Sequence, residues 1–234
     1  MPTLSIGVPM NRPRAGLLAL LAPLALAPAC GSEEAPTAAS PAPAASSPAP
    51  GVVTVVTSGF GQEDEYAWIT AVVRNDGGAE GHFVVVQFNV TDASGKLIAS
   101  ESQTEGFSKA GETLAIGTQI TVPDGAKVAK VEATVVVEST TTDAKPFAGV
   151  KVGPVAIKST SGTYKASFTA ENPATEPLQD ARVGFVCFDA GGKVIGGASE
   201  FPDAIPASGK ALVTGDLIVS TKPVRCDAYV GAPV

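Results

Sequence analysis

Asn75 recurs as Asn172, and Phe88, Asp92, Gly95, Lys96 and Ile98 recur as Phe185, Asp189, Gly192, Lys193 and Ile195, each pair 97 positions apart. A constant offset, held without a gap from 75 to 98, is not a chance product. It makes the chain a tandem duplication, so whatever one copy folds into, the other must as well. Further on, Ala110-Gly111-Glu112 and Ser208-Gly209-Lys210 hold equivalent places one residue out of phase. The copies are expected at 51–139 and 150–234. Residues 140–149, with Thr, Asp and Pro, form the linker between them.

Both copies read as strands and turns. Val84, Val86, Phe88 and Val90 alternate with Val85, Gln87, Asn89 and Thr91, a period of two with one apolar face. Asp92-Ala93-Ser94-Gly95 then turns the chain into Lys96-Leu97-Ile98, and Asp189-Ala190-Gly191-Gly192 does the same in the second copy. An Asp carboxylate can bond the backbone two residues on, and Gly accepts positive φ. Leu114/Ile116/Thr118/Ile120/Val122 and Val131/Ala133/Val135/Val137 supply further strands. Val and Thr are abundant, there are 25 Gly and 19 Pro, and no helical period is present. The expected fold is all-β: two consecutive immunoglobulin-like β-sandwiches.

The N-terminal region has a different character. Arg12 and Arg14 precede an uncharged run from Ala15 to Ala29 of Ala, Leu, Pro and one Gly. A basic head, a short apolar run and a small-residue exit make an export signal, expected at 1–29. The run is shorter than the roughly 20 residues of a membrane span. Met10 as an alternative start gives a more compact signal. The exit Ala27-Pro28-Ala29-Cys30-Gly31-Ser32 resembles the bacterial lipoprotein signal, in which the cysteine becomes a lipidated N-terminus. That pattern prefers Leu where Ala27 stands, and Ala27-Pro28-Ala29 also fits ordinary cleavage and secretion. The resemblance implies lipidation at Cys30 and a membrane partner through the N-terminal lipid. Residues 30–50, mostly Ala, Pro, Ser, Thr and Glu, cannot bury a core and are expected to be a disordered linker.

Phe88-Asn89-Val90-Thr91-Asp92 and Phe185-Val186-Cys187-Phe188-Asp189 resemble the signature of the FxLYD family of bacterial surface domains. Val90 and Cys187 stand in place of its Leu, and Thr91 and Phe188 in place of its Tyr. The motif residues are Phe88, Asp92, Gly95, Phe185, Asp189 and Gly192. The likeness implies an immunoglobulin-like sandwich on an envelope protein, with no enzyme activity and no defined ligand.

Two cysteines remain besides Cys30. Alternation puts Val183, Phe185 and Cys187 on one face, and Val224, Cys226, Ala228 and Val230 on the matching face of the last strand. In an oxidising compartment Cys187 and Cys226 are expected to be bridged. Closing a loop of about 40 residues contributes roughly 4 kcal/mol. The first copy has Val90 where the second has Cys187.

The repeat also points to a surface. In the second copy Lys165, Ser167, Thr169 and Glu171 face out. A shift of 97 makes Tyr66, Trp68, Thr70, Val72 and Arg74 the outward set of the first copy. Tyr66, Trp68, Val72 and Arg74 are therefore a candidate binding surface for sugars or proteins. The same residues can instead pack under a neighbouring strand or against the second copy. There Val186 and Phe188 face out where the first copy has Asn89 and Thr91.

Other chemistry finds little support. His82 is the one histidine, and no nucleophile turn, metal motif, CxxC or phosphate-binding Gly loop is present. Glu63-Asp64-Glu65 matches no calcium loop and reads as a solvated turn. No cofactor and no metal are expected, and the Asn89-Val90-Thr91 sequon reads as incidental. The net charge of -7 disfavours nucleic acid. The expected function is that of a non-catalytic, lipid-anchored cell-envelope protein, outside the cytoplasm, displaying two sandwiches for interaction or spacing. Its partner would be an envelope protein or a cell-wall glycan. The alternative is a secreted or anchored carbohydrate- or wall-binding module using the exposed aromatics. A third is an accessory subunit of a membrane complex.

Overall fold

The computed structural model describes residues 53–77, 81–140 and 149–231. The expected signal at 1–29, Cys30, the 31–50 segment and most of the expected 140–149 linker lie outside the described residues. So do residues 51–52 and 232–234.

Fifteen strands and no helix occur among the described residues. In the N-terminal half these are β1 (Val53–Glu63), β2 (Tyr66–Asn75), β3 (His82–Thr91), β4 (Leu97–Phe107), β5 (Thr113–Thr121) and β6 (Lys130–Thr140). The C-terminal half begins with β7 (Lys151–Val152), β8 (Ala156–Thr160), β9 (Thr163–Glu171), β10 (Leu178–Gln179) and β11 (Arg182–Phe188). It ends with β12 (Val194–Glu200), β13 (Ala204–Ile205), β14 (Lys210–Val219) and β15 (Arg225–Gly231). The pairings recorded for them are all antiparallel.

In the N-terminal half a β1-β2-β5 sheet faces a β4-β3-β6 sheet. The period-two residues fill the space between them. Ile69, Ala71, Val73, Val84, Val86, Phe88 and Val90 are fully buried there with Leu114 and Ile116. Each of these Val, Ile, Leu and Phe side chains contributes about 1.5–3 kcal/mol through removal of apolar surface from water. The C-terminal half repeats the plan: β8-β9-β14 on one side and β12-β11-β15 on the other. Ala166, Phe168, Ala170, Val183, Phe185 and Cys187 point into its core, where Phe168 meets Phe185 edge-to-face at 5.7 Å. Val224 departs from expectation. It precedes β15 and is 67% exposed, because its amide donates to the Phe188 carbonyl oxygen in the turn before the strand begins.

The duplication extends to backbone detail. Asp92 Oδ1 accepts from the Ser94 and Lys96 amides at 2.8 and 3.0 Å, and Asp189 Oδ1 accepts from Gly191 and Lys193 at 2.9 Å each. Gly95 and Gly192 close these turns at φ of 83° and 79°. Asn75 and Asn172 are buried, and each uses its side chain as a loop pin. Asn75 donates to Lys109 O and accepts from Gly77 N. Asn172 donates to Glu176 O and Ile205 O and accepts from Ala174 N.

One difference separates the copies. In the C-terminal half the two layers join along a corner, where Gly196 and Gly197 of β12 pair with Val219 and Ile218 of β14. Gly196 has φ of 132°, and a Cβ on it would lie 2.0 Å from the Ile218 carbonyl oxygen. The equivalent positions in β4 are Ala99 and Ser100, and β4 pairs with β3 alone. A backbone approach this close is open to glycine only.

Candidate functional site

β2 is the central strand of its sheet, so its outward side chains lie in the middle of a broad face. The structure covers that face with the second half of the chain. Val72 and Ala115 form one cluster with Val186, Phe188 and Val194, and Tyr229 packs against it. Trp68 is 8% exposed, and its indole nitrogen would lie 3.1 Å from a Cβ on Gly197. Of the two readings of this face, packing against the second half holds for Trp68 and Val72, and the candidate surface of exposed aromatics is not formed by them. Val72 is buried against the outward apolar residues of β11, Val186 and Phe188, and Trp68 lies against Gly197 of β12. Tyr66 stays 43% exposed at one end of β2. Arg74 stays exposed at the other end, ion-paired with Asp76. Eight strand positions separate the two, roughly 26 Å, so Tyr66 and Arg74 do not share a site.

Close approach along this seam depends on missing side chains. A Cβ on Gly184 would lie 2.4 Å from the Ala115 carbonyl oxygen, and one on Gly61 2.4 Å from the Ile195 carbonyl oxygen. Gly59 meets Val194 in the same way, at 2.6 Å. A hollow of about 10 Å³ remains beside Glu105, Ala115, Arg182 and Tyr229, no more than a water occupies.

Arg182 locks the rim. Nη1 donates to Glu105 Oε2 at 2.6 Å, Nη2 to the Gly117 carbonyl oxygen at 2.7 Å, and Nε to Ser199 Oγ at 3.1 Å. The ring of Phe201 lies 5.6 Å from the guanidinium carbon. Side-chain exposures of 14% for Arg182 and 17% for Glu105 make this a largely desolvated pair. On β1, the Gln62 amide donates to Ser220 Oγ at 3.0 Å. Sequence reasoning missed Arg182, Glu105 and the glycines. Their signal was the set of positions where the copies differ, since Gly184 stands where the first copy has Gln87, and Arg182 where it has Val85.

Among the described residues, chemically reactive groups do not converge elsewhere. His82 is buried, and its Nδ1 has no hydrogen-bond partner among the described residues. Glu63, Asp64 and Glu65 sit at the β1–β2 turn, where Asp64 takes φ of 52°. Among the described residues no group of three or more metal-type ligands is gathered. An open groove of about 260 Å³ runs beside Lys109, Glu112, Val152 and Tyr229. Glu112 is buried in its wall, and Oε2 accepts from the Ser108 amide, the Ser108 hydroxyl and the Lys109 amide. Burial pushes its carboxyl above the ordinary value despite these bonds. Burial likewise raises the Tyr229 hydroxyl, with Asp227 adding to the effect. The carboxyl of Asp76 is held low by hydrogen bonds from Thr54 and then Arg74.

The Cys187–Cys226 bridge forms as expected, between directly opposed residues of β11 and β15. A disulfide of this kind belongs to an oxidising, extracytoplasmic environment. The equivalent pair in the first half is Val90 opposite Val131.

No protein-family model matches the chain, and no curated protein matches it. Among solved structures it is similar to red sea bream transglutaminase at 12% identity, covering 76% of this chain and 29% of that one, with a TM-score of 0.25. The chain spans less than a third of that enzyme's length, and a likeness this low says nothing about activity.

Proposed function

We propose that this chain is a non-catalytic envelope protein, anchored through a lipid on Cys30, whose two FxLYD-type sandwiches form one stiff spacer and display unit outside the cytoplasm. The observation that carries this reading is the seam. The aromatic and aliphatic face that would otherwise recruit a ligand is spent on joining the two halves. A joint of opposed β-sheets, glycine contacts and a desolvated ion pair resists bending, which is what a spacer requires. The disulfide fits an exported protein. The 20 residues after Cys30, at about 3.1 Å each when extended, add a reach of up to roughly 60 Å from the anchor.

The rival wall-binding reading loses its central residue, since Trp68 is buried in the seam. Labelling with a radioactive fatty acid tests the anchor. The wild-type chain is expected to take up label and to sediment with membranes, and a Cys30→Ser chain to do neither. Unlabelled wild-type protein in the culture medium would overturn the reading. Pull-down on isolated cell wall tests the rival, and Tyr66→Ala is expected to leave retention unchanged.

A further inference from the structure

The two copies provide an internal control for what the disulfide does. β3–β6 and β11–β15 are equivalent strand pairs, each an outer strand held by one neighbour. In the first copy Val90 opposes Val131 and the sheet folds without a bridge. Only in the second copy are these positions cysteines. Only there does the outward face of the pair carry the other half of the protein.

Alternation ties these two facts together. Cys187 points into the core, so its neighbours Val186 and Phe188 point into the seam, where both are buried. On β15 Cys226 points inward, while Tyr229 packs on the seam cluster and Arg225 lies over the Phe188 ring at 4.2 Å. The bridge therefore fixes the spacing of the two strands that together present the docking face. β15 is an edge strand, and its backbone hydrogen bonds run to β11 alone. One-sided pairing opens at lower cost than pairing on both sides.

We infer that the Cys187–Cys226 bridge makes docking of the two halves conditional on oxidation. With the bridge closed, β11 and β15 hold the face that receives Val72 and Ala115, beside the point where Trp68 meets β12. With it open, β15 loosens and the N-terminal half is released, while both cores remain folded as the unbridged first copy does. Opening is a two-electron step. An external dithiol breaks the S–S bond and supplies two electrons and two protons, leaving the Cys187 and Cys226 thiols, and is itself oxidised to a disulfide. The protein would thus become stiff only after reaching an oxidising compartment. This rests on the docked seam and not on the lipid, so it stands or falls separately from the anchor on Cys30.

Trp68, the one tryptophan of the chain, sits at the seam and reports docking directly. The experiment compares the purified full chain, oxidised and after reduction with dithiothreitol, by Trp emission, acrylamide quenching and far-ultraviolet circular dichroism. Reduction is expected to red-shift the emission and open Trp68 to acrylamide while the β signal is retained. A Cys187→Val/Cys226→Val chain, which restores the aliphatic pair of the first copy, is expected to behave as the reduced protein. Trp68 equally protected in oxidised, reduced and double-Val protein would overturn the inference. So would exposure of Trp68 only together with loss of the β signal, because the bridge would then serve the core and not the docking.

Discussion

Arg182 illustrates how much can depend on one side chain. Every polar atom group of its guanidinium has a partner, and two of these partners, Glu105 and the Gly117 carbonyl, belong to the other half. Truncation would leave a mostly buried carboxylate and a carbonyl without their donor. Arg182→Met is expected to destabilise the protein by about 2–3 kcal/mol, the lower part of the range for broken buried pairs because some solvent reaches this one. Urea unfolding checks it, and a cycle with Glu105→Gln is expected to show that the two losses do not add. Glu112 makes a prediction of the opposite sign. Its folded pKa is raised above the ordinary 4.5, so the folded state binds the proton more tightly. Its ionisation therefore costs stability as pH rises through the window just above 4.5, and the cost stays constant at higher pH. Glu112→Gln is expected to remove that downward slope, read as the pH dependence of the unfolding midpoint.

At the scale of elements, the periodic strands were legible and their surroundings were not. Val84, Val86, Phe88 and Val90 face the core as alternation requires, and so do Ala166, Phe168 and Ala170. The Asp-to-Gly turns and the opposed cysteines were readable for the same reason: local chemistry decides them. The β12–β14 corner was not readable, because a Gly-Gly pair in a strand is compatible with several backbone paths. Nor was the seam. Alternation says which side chains leave the core but does not say what lies beyond them. Trp68 was identified as outward, with an open binding surface and packing against the second copy both left standing, and it is covered by another sheet. Gly184→Val tests the seam as an element. Its branched side chain would collide with the Ala115 backbone, which lies 2.4 Å from the first added carbon. The expected result is a docking loss of about 1–3 kcal/mol, as in overpacked cores. It would be seen as a longer particle by small-angle X-ray scattering and a red-shifted Trp68 emission, with both cores intact.

For the whole molecule, the duplication sets the plan and its breaches set the arrangement. Two identical copies would have offered the same outward faces, polar as on Lys165, Ser167 and Thr169. The first copy instead carries Trp68 and Val72 outward, and the second carries Val186 and Phe188. If docking stiffens the chain, the seam variant Gly184→Val should also make the purified protein more susceptible to limited proteolysis between residues 140 and 149, compared with wild type. By itself the sequence determined that the chain is all-β, that it is built twice, where its turns fall and which cysteines face one another. Each of these depends on neighbours a few residues away or on a strict period of two. Only the tertiary structure decided that the two outward apolar faces meet. That outcome depends on the fit of whole sheets, on glycines that let backbones touch, and on one arginine spanning the gap, all contributed by residues far apart in the chain.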